Sequence, residues 1–509
     1  MKAFVICLLP LLPLLPTVAM AGPVFQDRAA ALPVEHVYSG GWEHFVGGGV
    51  AVFDCNGDTL PEIFAAGGEN PARLFVNRSD IGGDLAFGLG EVPNITAVTG
   101  AYPLDIDSDG FLDLAVLRVG ANILLRGGPE CSFTDATAEW GFETADRWST
   151  SFSATWEPFQ DWPTLAVGNY VDRNDPDGPF EACDTNLIYR PDTEGYAPPT
   201  RLEPGFCALS MLFSDFSRRG RADLRISNDR HYYVRGGTEQ MWRPDTGRFL
   251  GKQDGWQPIS IWGMGIASQD LNGDLRPDVM LTSMGDQLLQ FAGRAGFENA
   301  PFATGATAHR PFLGDDGRPS TGWHAAFGDV DNDGISDIFI AKGNVDQMPG
   351  NAMEDPNNLL MGRPDGTYAE AGEEAGIATV ERSRGAGLVD MNGDGRLDLV
   401  VMNRRAAMEL WQNVSEAGNY VSVELRQTGA NRRAVGAWVE LRMGDGTVRT
   451  LERTVGGGHA SGAAAPLHFG LGADTLAQIR VIWPDGVMSD WRPVSAGKTV
   501  TVNRAVGHN

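Results

Sequence analysis

Asp329-Val-Asp-Asn-Asp-Gly-Ile-Ser-Asp337 puts oxygen-bearing side chains at its first, third, fifth and ninth places. Four other stretches obey the same rule: Asp54-Cys-Asn-Gly-Asp-Thr-Leu-Pro-Glu62, Asp105-Ile-Asp-Ser-Asp-Gly-Phe-Leu-Asp113, Asp270-Leu-Asn-Gly-Asp-Leu-Arg-Pro-Asp278 and Asp390-Met-Asn-Gly-Asp-Gly-Arg-Leu-Asp398. Calcium takes about 6–8 oxygen ligands in a flexible shell, and a short loop of alternating Asp and Asn can wrap it. Three side chains come from the first, third and fifth places, a backbone carbonyl from the seventh, and a closing carboxylate from the ninth. The predicted ligands are Asp54, Asn56, Asp58, Leu60 and Glu62 in the first loop, and Asp105, Asp107, Asp109, Phe111 and Asp113 in the second. The remaining loops supply Asp270, Asn272, Asp274, Arg276 and Asp278; Asp329, Asp331, Asp333, Ile335 and Asp337; and Asp390, Asn392, Asp394, Arg396 and Asp398. An EF-hand places its last acid at the twelfth position and continues into a helix. Here apolar runs at 114–117, 279–281, 338–340 and 399–402 follow, and these read as strands. A single such stretch also reads as an Asx turn, but five in one register, each leading into a strand, favour a metal. Magnesium rarely uses all-protein cages.

The loops start at 54, 105, 270, 329 and 390, so the interval from 105 to 270 is three steps long. Two decayed copies fill it. Asp215-Phe-Ser-Arg-Arg-Gly-Arg-Ala-Asp223 keeps its ends but has Arg219 where an acid belongs, and Trp156-Glu-Pro-Phe-Gln-Asp-Trp-Pro-Thr164 keeps only the strand that follows. Neither is predicted to bind calcium, and Arg219 is expected inside its loop as an internal cation. Each loop and its strand are followed by a further apolar run, such as Leu74-Phe-Val, Ile123-Leu-Leu or Leu359-Leu-Met. Four short strands per repeat fit a propeller blade, and ring closure leaves no long free sheet edge. The predicted fold is all-β: a seven-bladed propeller over 22–418 followed by a small antiparallel β domain over 419–509. The seventh repeat lacks a fourth strand of its own. Phe25-Gln-Asp27 resembles Phe133-Thr-Asp135, so residues 24–38 are expected to complete that blade.

The loops and blade signatures resemble FG-GAP/VCBS repeats, the units of integrin-α-like propellers. Residues 419–503 resemble the ASPIC/UnbV domain through Asn431-Arg-Arg-Ala-Val-Gly-Ala-Trp-Val-Glu440, Gly456-Gly-Gly-His-Ala-Ser-Gly462, His468-Phe-Gly-Leu-Gly472 and Val481-Ile-Trp-Pro-Asp-Gly486. The combination is similar to the cartilage acidic protein family and its bacterial relatives. That resemblance implies a secreted calcium-binding or adhesion-like protein and names no ligand, since fold does not dictate function.

Residues 1–21 read as a cleaved secretory leader, with Lys2, an apolar run and Ala19-Met-Ala21 as the cleavage site. Cys7 lies inside this leader, which argues against a lipoprotein anchor. The expected location is the periplasm or the medium. A formal net charge of −26 argues against nucleic acid and against unassisted binding to anionic membranes. Four cysteines follow the leader, Cys55, Cys131, Cys183 and Cys207, and three pairings are open. Cys55 and Cys131 fall on the loop face of the predicted ring, and Cys183 and Cys207 in long connections on the opposite face. Pairs Cys55–Cys131 and Cys183–Cys207 are therefore expected, with free buried thiols as the alternative.

Residues entering the predicted inner strands from the face opposite the loops include Trp42, Glu43, His44, Trp148, Trp262, Trp323, His324 and Arg384. Aromatic and ionisable groups that converge on one concave mouth form a candidate ligand site. The same residues also read as packing that fills the channel and spaces the blades. The connections 168–186, 227–239 and 341–358 lie on that face, and 228–233 (Asn-Asp-Arg-His-Tyr-Tyr) is rich in recognition residues. Gly456–Gly462 reads either as a ligand cradle or as a flexible connection whose His459 and Ser461 satisfy backbone groups. No His-Glu-x-x-His, Cys-x-x-Cys or Gly-x-Ser-x-Gly motif occurs. The leading expectation is a calcium-binding, non-catalytic protein that holds about five Ca²⁺ and meets an unidentified protein or glycan on the face opposite its loops. The alternative is a propeller hydrolase or lyase acting on polysaccharide or phosphoester. A third reading is a scaffold that presents the C-terminal domain.

Overall fold

The structure, a computed structural model, describes residues 22–504 apart from 180, 194, 230–235, 294–295 and 315–316. The leader and most of the 228–233 segment lie outside the described residues.

Every acidic loop is the hairpin between a buried strand and its partner. The first acidic place follows the first strand, and the ninth opens the second. The closing pairs share one register: Phe53 with Glu62, Leu104 with Asp113, Gln269 with Asp278, Gly328 with Asp337 and Val389 with Asp398. The decayed copies keep it, through Thr155 with Thr164 and Ser214 with Asp223. Among the described residues each hairpin continues into a third and a fourth strand, giving seven groups of four. The first group is Val50–Phe53, Glu62–Ala65, Arg73–Asn77 and Phe87–Leu89. The sixth is Gly322–Gly328, Asp337–Lys342, Asn358–Gly362 and Tyr368–Glu370. The seventh takes its fourth strand from the other end of the described chain: Phe25–Asp27 pairs antiparallel with Glu409–Asn413.

The innermost strands neighbour one another in chain order, and the seventh returns to the first. Strands such as Val98–Leu104 are buried along their whole length, because a neighbouring sheet covers each face. The result is a propeller-like ring. Cys55–Cys131 and Cys183–Cys207 are both bonded, with Cα atoms 5.0 and 4.8 Å apart.

Residues from 419 onward form two small sheets around a separate core that includes Val421, Val423, Val439, Ile479 and Trp483. Val448–Glu452, Trp438–Arg442, Leu476–Ile482 and Arg492–Ser495 make an antiparallel sheet. Asn419–Arg426 sits between Leu467–Gly472, antiparallel to it, and Lys498–Asn503, parallel to it. The parallel pair departs from the all-antiparallel expectation for this unit. Parallel neighbours need a long crossover, and the intervening residues supply it by building the other sheet. Among the described residues no helix is long and apolar enough to cross a membrane.

Candidate metal loops and the closed channel

The five acidic loops share a set of internal hydrogen bonds. The fifth-place carboxylate accepts from the seventh backbone N–H: Asp58 from Leu60 at 2.8 Å, Asp109 from Phe111 at 2.8 Å, Asp274 from Arg276 at 2.9 Å, Asp333 from Ile335 at 2.6 Å and Asp394 from Arg396 at 2.9 Å. The ninth-place carboxylate accepts from the second N–H, at 2.9 Å in Glu62, 2.7 Å in Asp113, 3.0 Å in Asp278, 2.9 Å in Asp337 and 2.9 Å in Asp398. In the last four its other oxygen accepts an N–H from the third-strand side of the sheet, from Gly127, Ala292, Gly362 and Asn413. The ninth acid thus ties the loop to its sheet, and in the Asp105 and Asp329 loops three carboxylates converge.

Those lone pairs are expensive to leave alone. Both carboxylate oxygens of Asp105 and Oδ1 of Asp329 are buried without a hydrogen-bond partner. Carboxylate oxygens of Asp105, Asp107 and Asp113 lie within 4.8 Å of one another, as do those of Asp329, Asp331 and Asp333. Burial first, and crowding by neighbouring acids second, lift the carboxyls: Glu62 and Asp113 to about 8, Asp278 to about 7, Asp105 to about 6, and Asp329 well above its usual range. A divalent cation is what lets such groups stay ionised, and the all-oxygen donor set is one that calcium takes. The residues fit that ion.

In the fourth sheet a guanidinium stands where the five intact loops have their fifth-place acid. Arg219 Nη2 lies 3.1 Å from Asp223 Oδ2, and Arg243 Nη2 is also 3.1 Å from it. The Arg219 and Gly220 N–H groups donate to Asp215, so the turn survives without an ion. The third sheet does the same with Arg190, whose Nε is 2.7 Å from Glu157 Oε1. This second arginine lies outside its loop, a full strand away, where loop spacing carries no signal.

The opposite mouth is packed. Val46, on the segment leading into the first sheet, and Val119, Trp148, Leu209, Met264, Met284 and Trp323, from the second to the sixth, form one buried apolar cluster. Trp323 and Arg384 are fully buried and stack at 4.1 Å. Arg384 donates to the carbonyls of Phe45, Arg382, Ser383, Asn344 and Val345. His44 and His324 are buried as well. Trp262 packs against the cluster from its rim. Trp42 is 40% exposed, resting edge-on against Trp148, and Glu43 pairs with Arg173 at 2.6 Å. Of the predicted mouth residues, Trp42, Glu43 and Trp262 keep some exposure, and Trp42 the most.

From the loop side the channel is filled by the C-terminal region. Residues 455–464 run along the inner strands as a strap. Gly456 pairs with both Ser153 and Leu212, joining the third and fourth sheets, and Gly462–Ala464 lies parallel to Ala51–Phe53. His459 accepts from Gly47 N–H at 3.2 Å and donates its own N–H to His324 Nδ1 at 3.0 Å; Ser461 accepts from Val50 N–H at 3.0 Å. So His459 and Ser461 do satisfy backbone groups, but inside the ring rather than in a flexible connection. The approach is close enough to require glycine: a Cβ on Gly49 or Gly100 would lie 1.8 or 2.1 Å from Ala460 O.

The rest of the C-terminal region covers the loop face. Asn332 Oδ1 meets His468 Nε2 at 2.7 Å, and the Asp331 and Asn332 carbonyls accept from Gly418 and Gly472 N–H at 2.7 Å each. Asn431 N–H donates to Ser108 Oγ at 3.3 Å. Arg218 stacks on Trp438 at 3.9 Å and reaches Glu440 at 3.4 Å, while Glu452 accepts from Ser214 and from Asp215 N–H. An open cleft of about 1060 Å³ remains between ring and sheet, lined by Leu388, Leu397, Tyr420, Ser422, Glu424 and Arg426 among others. Sequence reasoning left this face to the loops alone. The one advance signal was the run Gly456–Gly458, whose glycines permit close backbone approach.

A family model described as FG-GAP-like repeat matches residues 54–116 and 329–401, and one described as ASPIC and UnbV matches 427–509. Among solved structures the chain is similar to BBS1N in its complex with ARL6DN, at 10% identity and a TM-score of 0.44, over 75% of this chain and 94% of that one. It is similar to the extracellular domain of the putative hybrid two component system BT4673 from B. thetaiotaomicron at 9% identity and a TM-score of 0.40, over 90% of this chain and 57% of that one. The corresponding domain of BT3049 from the same organism gives 9% and 0.41, over 95% and 58%. No curated protein sequence matches significantly.

Proposed function

We propose that this chain, which carries FG-GAP-like repeats and an ASPIC and UnbV domain, is a calcium-stabilised, non-catalytic binding protein that works outside the cytoplasm. The observation that carries the calcium reading is the set of buried, crowded carboxylates, above all the unpartnered oxygens of Asp105 and Asp329. About five ions would be held, one per intact loop, by the side chains at the first, third, fifth and ninth places and the carbonyls of Leu60, Phe111, Arg276, Ile335 and Arg396. Calcium there neutralises the loops and locks each hairpin; the chain's own residues do the rest. Two disulfides and the leader support a location in an oxidising compartment. The C-terminal region occupies the loop face, so the partner, a protein or a glycan, meets the opposite face around Trp42 and Glu43. The hydrolase or lyase reading draws less support, because His44 is buried and His324, which lines the cleft, uses its Nδ1 to accept the His459 N–H.

Binding that favours the folded state raises stability by mass action. Chelation is expected to lower the melting temperature by many degrees, and elemental analysis to find about five calcium ions per chain. An unshifted melt and a metal-free preparation would reject the reading.

A further inference from the structure

We propose that the cation in the Asp329–Asp337 loop controls how firmly one side of the C-terminal domain is held on the ring, so that this domain is clasped in a calcium-dependent way on that side and anchored without metal on the other. The inference rests on the calcium reading above.

The sixth-sheet loop is the hub of the domain contact. Two of its own backbone carbonyls, Asp331 and Asn332, accept the N–H groups of Gly418 and Gly472. The Asn332 side chain, almost fully buried, joins His468 at one end and the Gly395 carbonyl of the seventh loop at the other. Gly470 passes so near that a Cβ there would lie 1.9 Å from Asp329 Oδ2. Asp329 Oδ1, buried and without a partner, points to the ion the loop is shaped for. Ion and domain therefore engage one short loop: the ion takes its acidic side chains and the Ile335 carbonyl, the domain the neighbouring Asp331 and Asn332 carbonyls. Without the ion, three neighbouring carboxylates repel, and the carbonyls that hold the domain lose their fixed directions.

The contrast within the ring sharpens this. Among the described residues no hydrogen bond joins the loops 54–62 or 270–278 to residues 419–504. The fourth sheet, whose loop holds Arg219 instead of an ion pocket, makes the Arg218–Trp438, Arg218–Glu440 and Glu452–Asp215 contacts. Together with the strap, this side remains attached whatever the metal. The predicted movement on calcium loss is local release of Asn419–Arg426 and Leu467–Gly472, not departure of the domain.

The test uses the full chain with calcium alone as the probe. Asp333→Asn and Asp274→Asn remove the same acid from the hub loop and from a loop the domain does not bond. Each is expected to lower bound calcium by one ion per chain. Amide exchange at 419–426 and 467–472 should accelerate in Asp333→Asn and in chelated wild type, and stay unchanged in Asp274→Asn. Coupling is reciprocal, so His468→Ala should weaken one calcium site by about five-fold or more. Metal loss in Asp333→Asn with exchange unchanged at both segments overturns the clasp while leaving the calcium reading intact. A wild-type chain that binds no calcium overturns both.

Discussion

Arg219, His324 and His459 show how single residues carry the fold's electrostatics. Arg219 replaces a fifth-place acid and serves as a fixed cation beside Asp223. Its role was legible from a break in the repeat, because an intact pattern on either side makes one deviant residue informative. His324 was legible as a residue entering an inner strand and His459 as part of a glycine-rich stretch; their partnership requires two segments about 135 residues apart to meet in the channel. Burial lowers His324 to about 4 and His459 to about 3, from an ordinary value near 6.5. Both are neutral in the folded chain. Their contribution to stability is complete above pH 6.5 and is lost as pH falls toward 4, since the unfolded chain gains protons that the folded one refuses. Each group costs roughly 1.4 kcal/mol per pH unit in that window. In saturating calcium, the stability of His324→Asn is expected to fall less steeply between pH 6.5 and 5 than that of wild type, as read from denaturant melts. Equal slopes would mean that His324 takes up its proton in the folded state.

At the element scale the nine-residue hairpin is the unit. Its acids are spaced by the geometry of a tight turn between two strands in a constant register, so the period shows in the chain even where the metal ligands have decayed. The third strands were legible from short apolar runs, and each pairs with the second strand of its own hairpin. The seventh sheet depends on Phe25–Asp27, whose residues pair with Asn413, Gln412 and Trp411. Removing residues 22–27 should expose the Glu409–Asn413 edge and speed amide exchange there first. It should also lower the melting temperature, since a closed ring that loses a strand gains a free sheet edge. A deletion that left exchange at 409–413 unchanged would show that the strand does not close the sheet in solution.

At the scale of the whole molecule, ring and C-terminal region share one interior. The strap reaches the inner strands of the first, third, fourth and fifth sheets through Gly462–Ala464, Gly456 and Gly458. A chain ending at residue 418 is therefore expected to melt well below the full chain at saturating calcium. Exchange should rise along the inner strands Arg147–Thr155 and Ala208–Ser214, where Gly456 is lost as a partner. An unchanged melt would mean that the ring closes without its strap. The same arrangement accounts for the mouth residues. Trp148, Trp323 and Arg384 converge as their positions in the repeat imply, yet they converge on one another and leave Trp42 and Glu43 at the surface.

The repeat, the hairpin register and the all-β class were local properties, written in spacings of a few residues that a strand and a turn must obey whatever surrounds them. Tertiary structure alone decided which face is free, because the covering of the loops and the filling of the channel depend on segments hundreds of residues apart. Convergence of side chains on an axis can be inferred from period; whether that axis holds a ligand, water or the chain itself is set by packing, and here ten residues of strap take part of the space and leave an open cleft along the inner strands of the fifth to seventh sheets.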